Sequence, residues 1–248
     1  MRLKDKIALV AGSGQRMGRA IARLFAQEGA QVVAVTRNAE TASRLQEEFK
    51  EANLPIEVKQ ADLTDPSAVE QLMRDVQERY GKLDILVNNL GWRPQPEKQL
   101  ADLTPEEWRT GMANMIDSFM FLSRAGEPLL EAAGGGSIIN ISADELILLD
   151  ANPLYSTGKA AVIGFTRNLA RKLYPKNIRV NCIQPGYTRL PANPGEVRPR
   201  TEGLVRPYSA PEDIAFAALF LASEESCWLT GVILPVDGGD SVRTRGES

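Results

Sequence analysis

The sequence predicts a doubly wound α/β fold, a seven-stranded parallel sheet with helices on both faces. Short β-branched runs alternate with longer amphipathic ones along the whole chain. Each short run is apolar at nearly every position, as in strands buried on both sides, rather than at every second position, as in a half-exposed sheet. No Pro/Ser-rich linker, composition shift or internal repeat divides the 248 residues, so residues 1–248 are read as a single domain.

The elements follow in order. Residues 7–10 form the first strand and residues 18–28 its helix. Strand 31–36 precedes helix 39–52, strand 56–60 precedes helix 66–80, and strand 85–88 precedes one long helix over 105–132. Strand 137–142 leads to helix 155–173, strand 179–183 to helix 211–222, and residues 232–236 close the sheet. Between Tyr187 and Pro207 the regularity stops, with Pro191, Pro194, Pro199 and Pro207 interspersed with Gly195 and Gly203. A long connection at a strand's carboxyl end, where open α/β sheets bind ligands, is expected to act as a substrate lid.

Composition excludes several chemistries. The chain contains no His, which removes Ser-His-Asp hydrolysis, His-ligated zinc and His general bases. Cys182 and Cys227 lie in no metal or redox spacing, so no metal site is expected. A net charge of −3 with mixed signs argues against a nucleic-acid surface. The N-terminus runs directly into the first strand and no apolar stretch is long enough to span a bilayer, so a cytoplasmic protein without a membrane partner is expected.

Two motifs carry chemistry. The first strand enters Ala11-Gly12-Ser13-Gly14-Gln15-Arg16-Met17-Gly18 and a helix begins at once. Glycines there let the backbone approach a pyrophosphate, and a helix N-terminus offers free N–H groups to it. Further along, Tyr155-Ser156-Thr157-Gly158-Lys159 sets a phenol and an ammonium four residues apart, on one helix face. A cation beside a phenol favours the phenolate, which makes the pair a proton-transfer device.

Together these segments resemble the short-chain dehydrogenase/reductase family over essentially the whole chain, which implies a Rossmann fold binding NAD(P). The family's glycine turn maps onto Gly12, Arg16 and Gly18, with Ser13, Gln15 and Met17 beside the cofactor. Its Asn-Asn-Ala-Gly maps onto Asn88-Asn89-Leu90-Gly91, its helix Asn onto Asn114, and its Pro-Gly onto Pro185-Gly186, with Thr188 at the nicotinamide carboxamide. Asp62, followed by Leu63, matches the residue facing the adenine. The resemblance implies hydride transfer between nicotinamide and a carbinol or carbonyl carbon. Tyr155 is then the general acid/base, Lys159 lowers its pKa and grips the ribose, and Asn114 holds a water.

Three departures stand out. Arg16 replaces a glycine, so its guanidinium either reaches a cofactor phosphate or stays in solvent. Leu90 replaces a small alanine. Counting thirteen back from Tyr155 places Ser142 at the family's catalytic serine, whereas counting along the strand places Ala143 there; Ser142 is the reading adopted. Thr36 stands where NAD-binding members carry a carboxylate and Arg37 where NADP-binding members carry a base, which favours NADP over NAD. Trp92, Arg93, Asp144, Leu146, Leu149, Tyr187 and Leu190 are candidates to line a pocket for a small alcohol or ketone. Two alternatives stay open: a 3-oxoacyl thioester substrate, and a dinucleotide-binding regulator or scaffold without turnover. The resemblance also implies a homotetramer or homodimer, paired through the two long helices.

Overall fold

The structure, a computed structural model, describes residues 1–91, 98–189 and 208–242. Its seven strands are β1 (Ile7–Ala11), β2 (Gln31–Thr36), β3 (Ile56–Gln60), β4 (Ile85–Asn88), β5 (Gly136–Ile141), β6 (Ile178–Pro185) and β7 (Ile233–Val236). They form one parallel sheet in the order β3-β2-β1-β4-β5-β6-β7. The order reverses direction between β1 and β4, and the crevice beyond their carboxyl ends is where such sheets take ligands.

The pleat sorts side chains onto two faces. Ala8 and Val10 of β1 join a core with Ile21 and Phe25 of α1 (Met17–Gln27), Leu45 and Phe49 of α2 (Ala39–Glu51), and Ile214 and Leu219 of α8 (Pro211–Ala222). Ile7, Leu9 and Ala11 join the opposite core. There they meet Leu72 and Met73 of α3 (Pro66–Tyr80), Leu122 and Leu129 of α5 (Ser118–Ala132), and Leu173 of α7 (Pro153–Leu173). Each fully buried Leu, Ile or Phe contributes roughly 1.5–3 kcal/mol relative to exposure, so the two clusters clamp the sheet from both sides.

Helix starts follow local chemistry. Asn38, Asp65 and Asn152 each accept a hydrogen bond from a backbone N–H in the first turn, and Pro66 and Pro153 occupy first-turn positions where a missing N–H costs nothing. Thr104 and Glu107 form a reciprocal capping box at the start of α4 (Pro105–Met112).

Three elements differ from the sequence reading. The single helix expected over 105–132 is α4, a π-helical turn over Ala113–Asp117, and then α5. The loop expected after β5 contains a short helix, α6 (Glu145–Asp150), capped by Asp144. The helix bearing Tyr155 starts two residues early, at Pro153, because Asn152 caps it. The stretch expected as a lid is described only at its base. There Ser209 meets Thr188 hydroxyl to hydroxyl at 2.7 Å, and the Arg189 guanidinium lies 3.6 Å over the Tyr208 ring. Residues 190–207 lie outside the described residues.

Candidate active site

The turn after β1 is shaped for close approach. Gly12 has φ of 78°, and a Cβ there would lie 2.2 Å from the Asn89 carbonyl oxygen. A Cβ on Gly18 would lie 2.3 Å from the Gly12 oxygen. Only glycine fits at either position. The Asn89 side-chain amide donates to the Gly12 carbonyl at 3.0 Å and ties the β4 turn to the β1 turn. Ser13 is fully buried, donating its hydroxyl to Val10 O at 2.8 Å and its N–H to Val35 O at 2.8 Å. Gln15 and Arg16 are exposed at the start of α1, whose first turn, beginning at Met17, contains no acidic residue. That combination suits a pyrophosphate: a compressed turn, an uncovered helix N-terminus and no opposing carboxylate.

Arg37 is exposed at the end of β2, and its charge acts on Asp62 after β3. Burial pushes the Asp62 carboxyl up, but hydrogen bonds from the Thr64 hydroxyl and amide, together with Arg37, leave it below the ordinary value. Leu63 beside it is buried. Arg37 and Asp62 follow the carboxyl ends of β2 and β3, which lie beside β1 in the sheet.

Lys159 is 4 % exposed, and its Nζ donates to Leu90 O at 2.7 Å and Ile141 O at 2.8 Å. The ammonium also lies 5.7 Å over the Phe119 ring. Burial lowers its pKa to about 8. Tyr155 sits one turn earlier on α7. Its phenol is pushed above the ordinary value, first by burial and then by the charge of Asp144. Lys159 is not among the groups acting on this phenol, and its ammonium is directed to the carbonyls of β5 and the β4 turn. Gly158, between the two, allows α7 to press on the π turn: a Cβ there would lie 2.5 Å from Met115 Cε. That turn carries Asn114, buried, with its side-chain amide donating to Thr110 O at 2.8 Å.

Ser142 and Ala143 differ in what their side chains meet. Asn140 and Ser142 share the β5 face that looks at α7, where Asn140 donates to Thr166 Oγ1 at 2.9 Å and Ser142 Oγ donates to Lys159 O at 2.6 Å. Ala143 follows, buried and without a polar side-chain atom. Next comes Asp144, 1 % exposed, whose Oδ1 accepts from Ile147 N at 2.7 Å and whose Oδ2 is buried without a hydrogen-bond partner.

Pro185 and Gly186 are buried at the end of β6, and a Cβ on Gly186 would lie 3.1 Å from Asp144 Oδ2. The Thr188 hydroxyl donates to Gly186 O at 3.1 Å. Tyr187 is exposed, with its hydroxyl 3.5 Å from Asp150 Oδ2. Leu149 is 71 % exposed and Leu146 partly covered. Leu90 packs between the α5 and α7 cores. Trp92, Arg93 and Leu190 lie outside the described residues. Sequence reasoning missed the polar relay from Asn88 through Asn140 to Thr166, buried across β4, β5 and α7; three separated polar residues in apolar runs were its only trace.

A family model described as enoyl-(acyl carrier protein) reductase matches residues 11–241. The chain belongs to the short-chain dehydrogenase/reductase family. Its relatives in this family include the 3-oxoacyl-acyl-carrier-protein reductase FabG of Thermotoga maritima, 32 % identical, covering 96 % of this chain and 99 % of that one. A 3alpha-hydroxysteroid dehydrogenase of Mediterraneibacter gnavus is 34 % identical, covering 96 % and 98 %. A crystal structure described as a short-chain dehydrogenase/reductase from Burkholderia xenovorans superposes with a TM-score of 0.86 at 35 % identity, covering 98 % of this chain and 99 % of that one. Like other short-chain dehydrogenase/reductases, the protein is an NAD(P)-dependent oxidoreductase acting between an alcohol and a carbonyl. Among the described residues no helix is long and apolar enough to cross a membrane.

Proposed function

We propose that the protein is an NADP-preferring reductase of small, uncharged carbonyl compounds, with Tyr155 as the proton donor. The observation that carries this reading is the placement of Tyr155 and the buried Lys159 on one face of α7, at the crevice end of β4 and β5. Gly12, Ser13, Gln15, Arg16, Met17 and Gly18 would hold the pyrophosphate, and Asp62 and Leu63 the adenine. Arg37 would pair with a 2′-phosphate, a charge-assisted contact that NAD cannot make. Asn89, Leu90, Gly91 and Lys159 would border the nicotinamide ribose, with Pro185, Gly186 and Thr188 at the carboxamide. The nicotinamide, when bound, supplies or accepts the hydride.

The chain's own residues manage the proton. In reduction the Tyr155 hydroxyl donates to the developing alkoxide; in oxidation the phenolate takes that proton back. A phenol held above its ordinary pKa stays protonated near neutrality, the form that donates in reduction. Lys159 keeps one proton of its ammonium for the ribose, two being given to Leu90 and Ile141. Asn114 would position a water from the π turn to resupply the proton.

Acidic side chains lie at the substrate end: Asp150 and Asp240 act on Tyr187, and Asp237 and Asp240 act on Asp144. That field repels carboxylates and phosphates, so a neutral ketone, sugar or steroid is favoured over an acyl chain on an acidic carrier. Exposed Trp108, Met120, Phe216 and Trp228 support a homodimer or homotetramer. The test is NADPH and NADH oxidation with butane-2,3-dione, a 3-ketosteroid and acetoacetyl thioester, for wild type and Tyr155→Phe. Turnover lost in the variant supports the reading; equal rates would remove it and favour a dinucleotide-binding regulator.

A further inference from the structure

We infer that Asp144 is a catalytic residue of this site, a neutral carboxylic acid whose Oδ2–H donates a hydrogen bond to the substrate oxygen beside Tyr155. The inference rests on the proposed reaction and concerns the second donor that reaction needs. An alkoxide developing in a water-poor site requires hydrogen-bond donors already in place, and one donor alone leaves most of its charge uncompensated. The two positions that sequence counting offers for a hydroxyl donor do not supply one. Ser142 has committed its proton to Lys159 O, and Ala143 has no polar side-chain atom.

Asp144 is the next residue, and its two oxygens have different fates. Oδ1 caps α6 by accepting from Ile147 N. Oδ2 is buried and has no partner, although its residue is only 1 % exposed. A carboxylate oxygen in that position would be desolvated without compensation, which is costly, whereas the protonated oxygen becomes a donor awaiting an acceptor. Among the described residues no acceptor answers it. The neighbouring Asp237 carboxyl takes the amides of Gly239 and Ser241 instead.

The charged and titratable groups around Asp144 favour the neutral form. Asp237 and Asp240 on the segment after β7 both push its pKa up, after burial as the largest cause. Only the amides of Ile147 and Leu146 act in the other direction. The phenols facing it, Tyr155 on α7 and Tyr187 after β6, are neutral near pH ~7 and both feel its charge. Among the described residues, no Lys or Arg is among the largest influences on it. A tyrosine and a neutral carboxylic acid acting on one oxygen would form an established type of oxyanion site. No covalent step is added: the Asp144 proton stays on Asp144, and Tyr155 alone transfers one.

Asp144→Asn gives the sharpest test. The side-chain carbonyl must still cap Ile147, so the amide NH2 falls where Oδ2–H stands and donates without being able to ionise. Asp144→Ala removes both the donor and the cap; Asp144→Ser restores the cap and a hydroxyl.

With NADPH and the fastest carbonyl substrate of the panel above, Asp144→Ala should lower kcat by about 100-fold with a smaller change in KM. Asp144→Asn should retain kcat within about tenfold and move the wild-type alkaline decline to higher pH, where only Tyr155 ionises. Melting temperature and NADPH binding, measured on each variant, separate a lost cap from a lost donor. Infrared difference spectra of substrate-free wild type against Asp144→Asn near pH ~7 should show the carbonyl stretch of a protonated carboxylic acid, when ordinary carboxyls are ionised. A missing stretch, an unimpaired Asp144→Ala, or an alkaline decline unchanged in Asp144→Asn would each overturn the inference. Tyr155→Phe run in parallel keeps the outcomes distinct: if it is inactive while Asp144→Ala is not, only the role of Asp144 falls.

Discussion

The Ser142 hydroxyl donates to the backbone carbonyl of Lys159 at 2.6 Å, joining the end of β5 to the helix that carries Tyr155 and Lys159. Because a hydroxyl has one proton, Ser142 cannot at the same time donate to a substrate oxygen. Its geometry is that of a strut beneath Tyr155 and Lys159. Ser142→Ala should therefore cost about 1 kcal/mol of stability and lower kcat by less than about tenfold, with the pH profile unchanged. A loss of about 100-fold or more at unchanged melting temperature would return Ser142 to direct contact with substrate.

Lys159 makes stability depend on pH in a predictable direction. Its folded pKa, about 8, lies below its ordinary value of 10.5. Between those values the unfolded chain binds more protons than the folded one, so stability rises with pH across that window. Below about pH 8 the full cost of burying the ammonium is present, a few kcal/mol at most by the size of the shift. Denaturant titrations of wild type and Lys159→Met should show wild type gaining on the variant from about pH 8 upward. A constant difference would mean that the buried ammonium does not titrate there.

The compressed turn predicts a cofactor-binding defect with a structural origin. Gly18→Ala places a Cβ 2.3 Å from Gly12 O and 2.8 Å from Asn89 Nδ2. Overpacking of this kind costs roughly 1–3 kcal/mol. The variant should melt lower and bind NADPH at least about tenfold more weakly, read by fluorescence titration. Wild-type binding would show that this turn does not form the pyrophosphate site.

The Arg37 side chain is exposed at the end of β2, so its replacement should change cofactor choice without unfolding the chain. Arg37→Glu should reduce kcat/KM for NADPH by about 10- to 100-fold, the worth of a lost charge-assisted hydrogen bond, and raise the relative use of NADH. An unaltered ratio would place the 2′-phosphate elsewhere.

The two thiols should separate cleanly. Cys182 is buried and its thiol is pushed up to about 12, mainly by burial, whereas Cys227 is exposed. A disulfide reagent such as dithionitrobenzoate should modify Cys227 in the native protein and reach Cys182 only after unfolding, since the thiolate is the reactive form.

The alternation of apolar runs and amphipathic runs was enough to place every strand of the sheet and its parallel sense, because strands buried on both faces must be apolar throughout. The glycine turn and the Tyr155/Lys159 spacing were legible for a similar reason: both depend on neighbours within a few residues of one another. The break in the helix over 105–132 was not legible. A π turn at Ala113–Asp117 depends on how α7 presses on Met115 through Gly158, a contact between residues far apart in sequence. The short helix α6 was hidden similarly, since its cap is a residue read as part of a pocket.

By itself, then, the sequence determined the sheet, its two helical layers and the family, and it pointed to Tyr155. Tertiary structure alone decided which groups act on that tyrosine. It turned the Lys159 ammonium toward the carbonyls of Leu90 and Ile141, spent the Ser142 proton on α7, and left one oxygen of Asp144 buried without a partner. Those outcomes depend on where side chains from β4, β5, β6 and α7 meet within a few ångströms, and on how much water is excluded there. A linear pattern encodes which residues can hydrogen-bond, but only packing decides which of them already have.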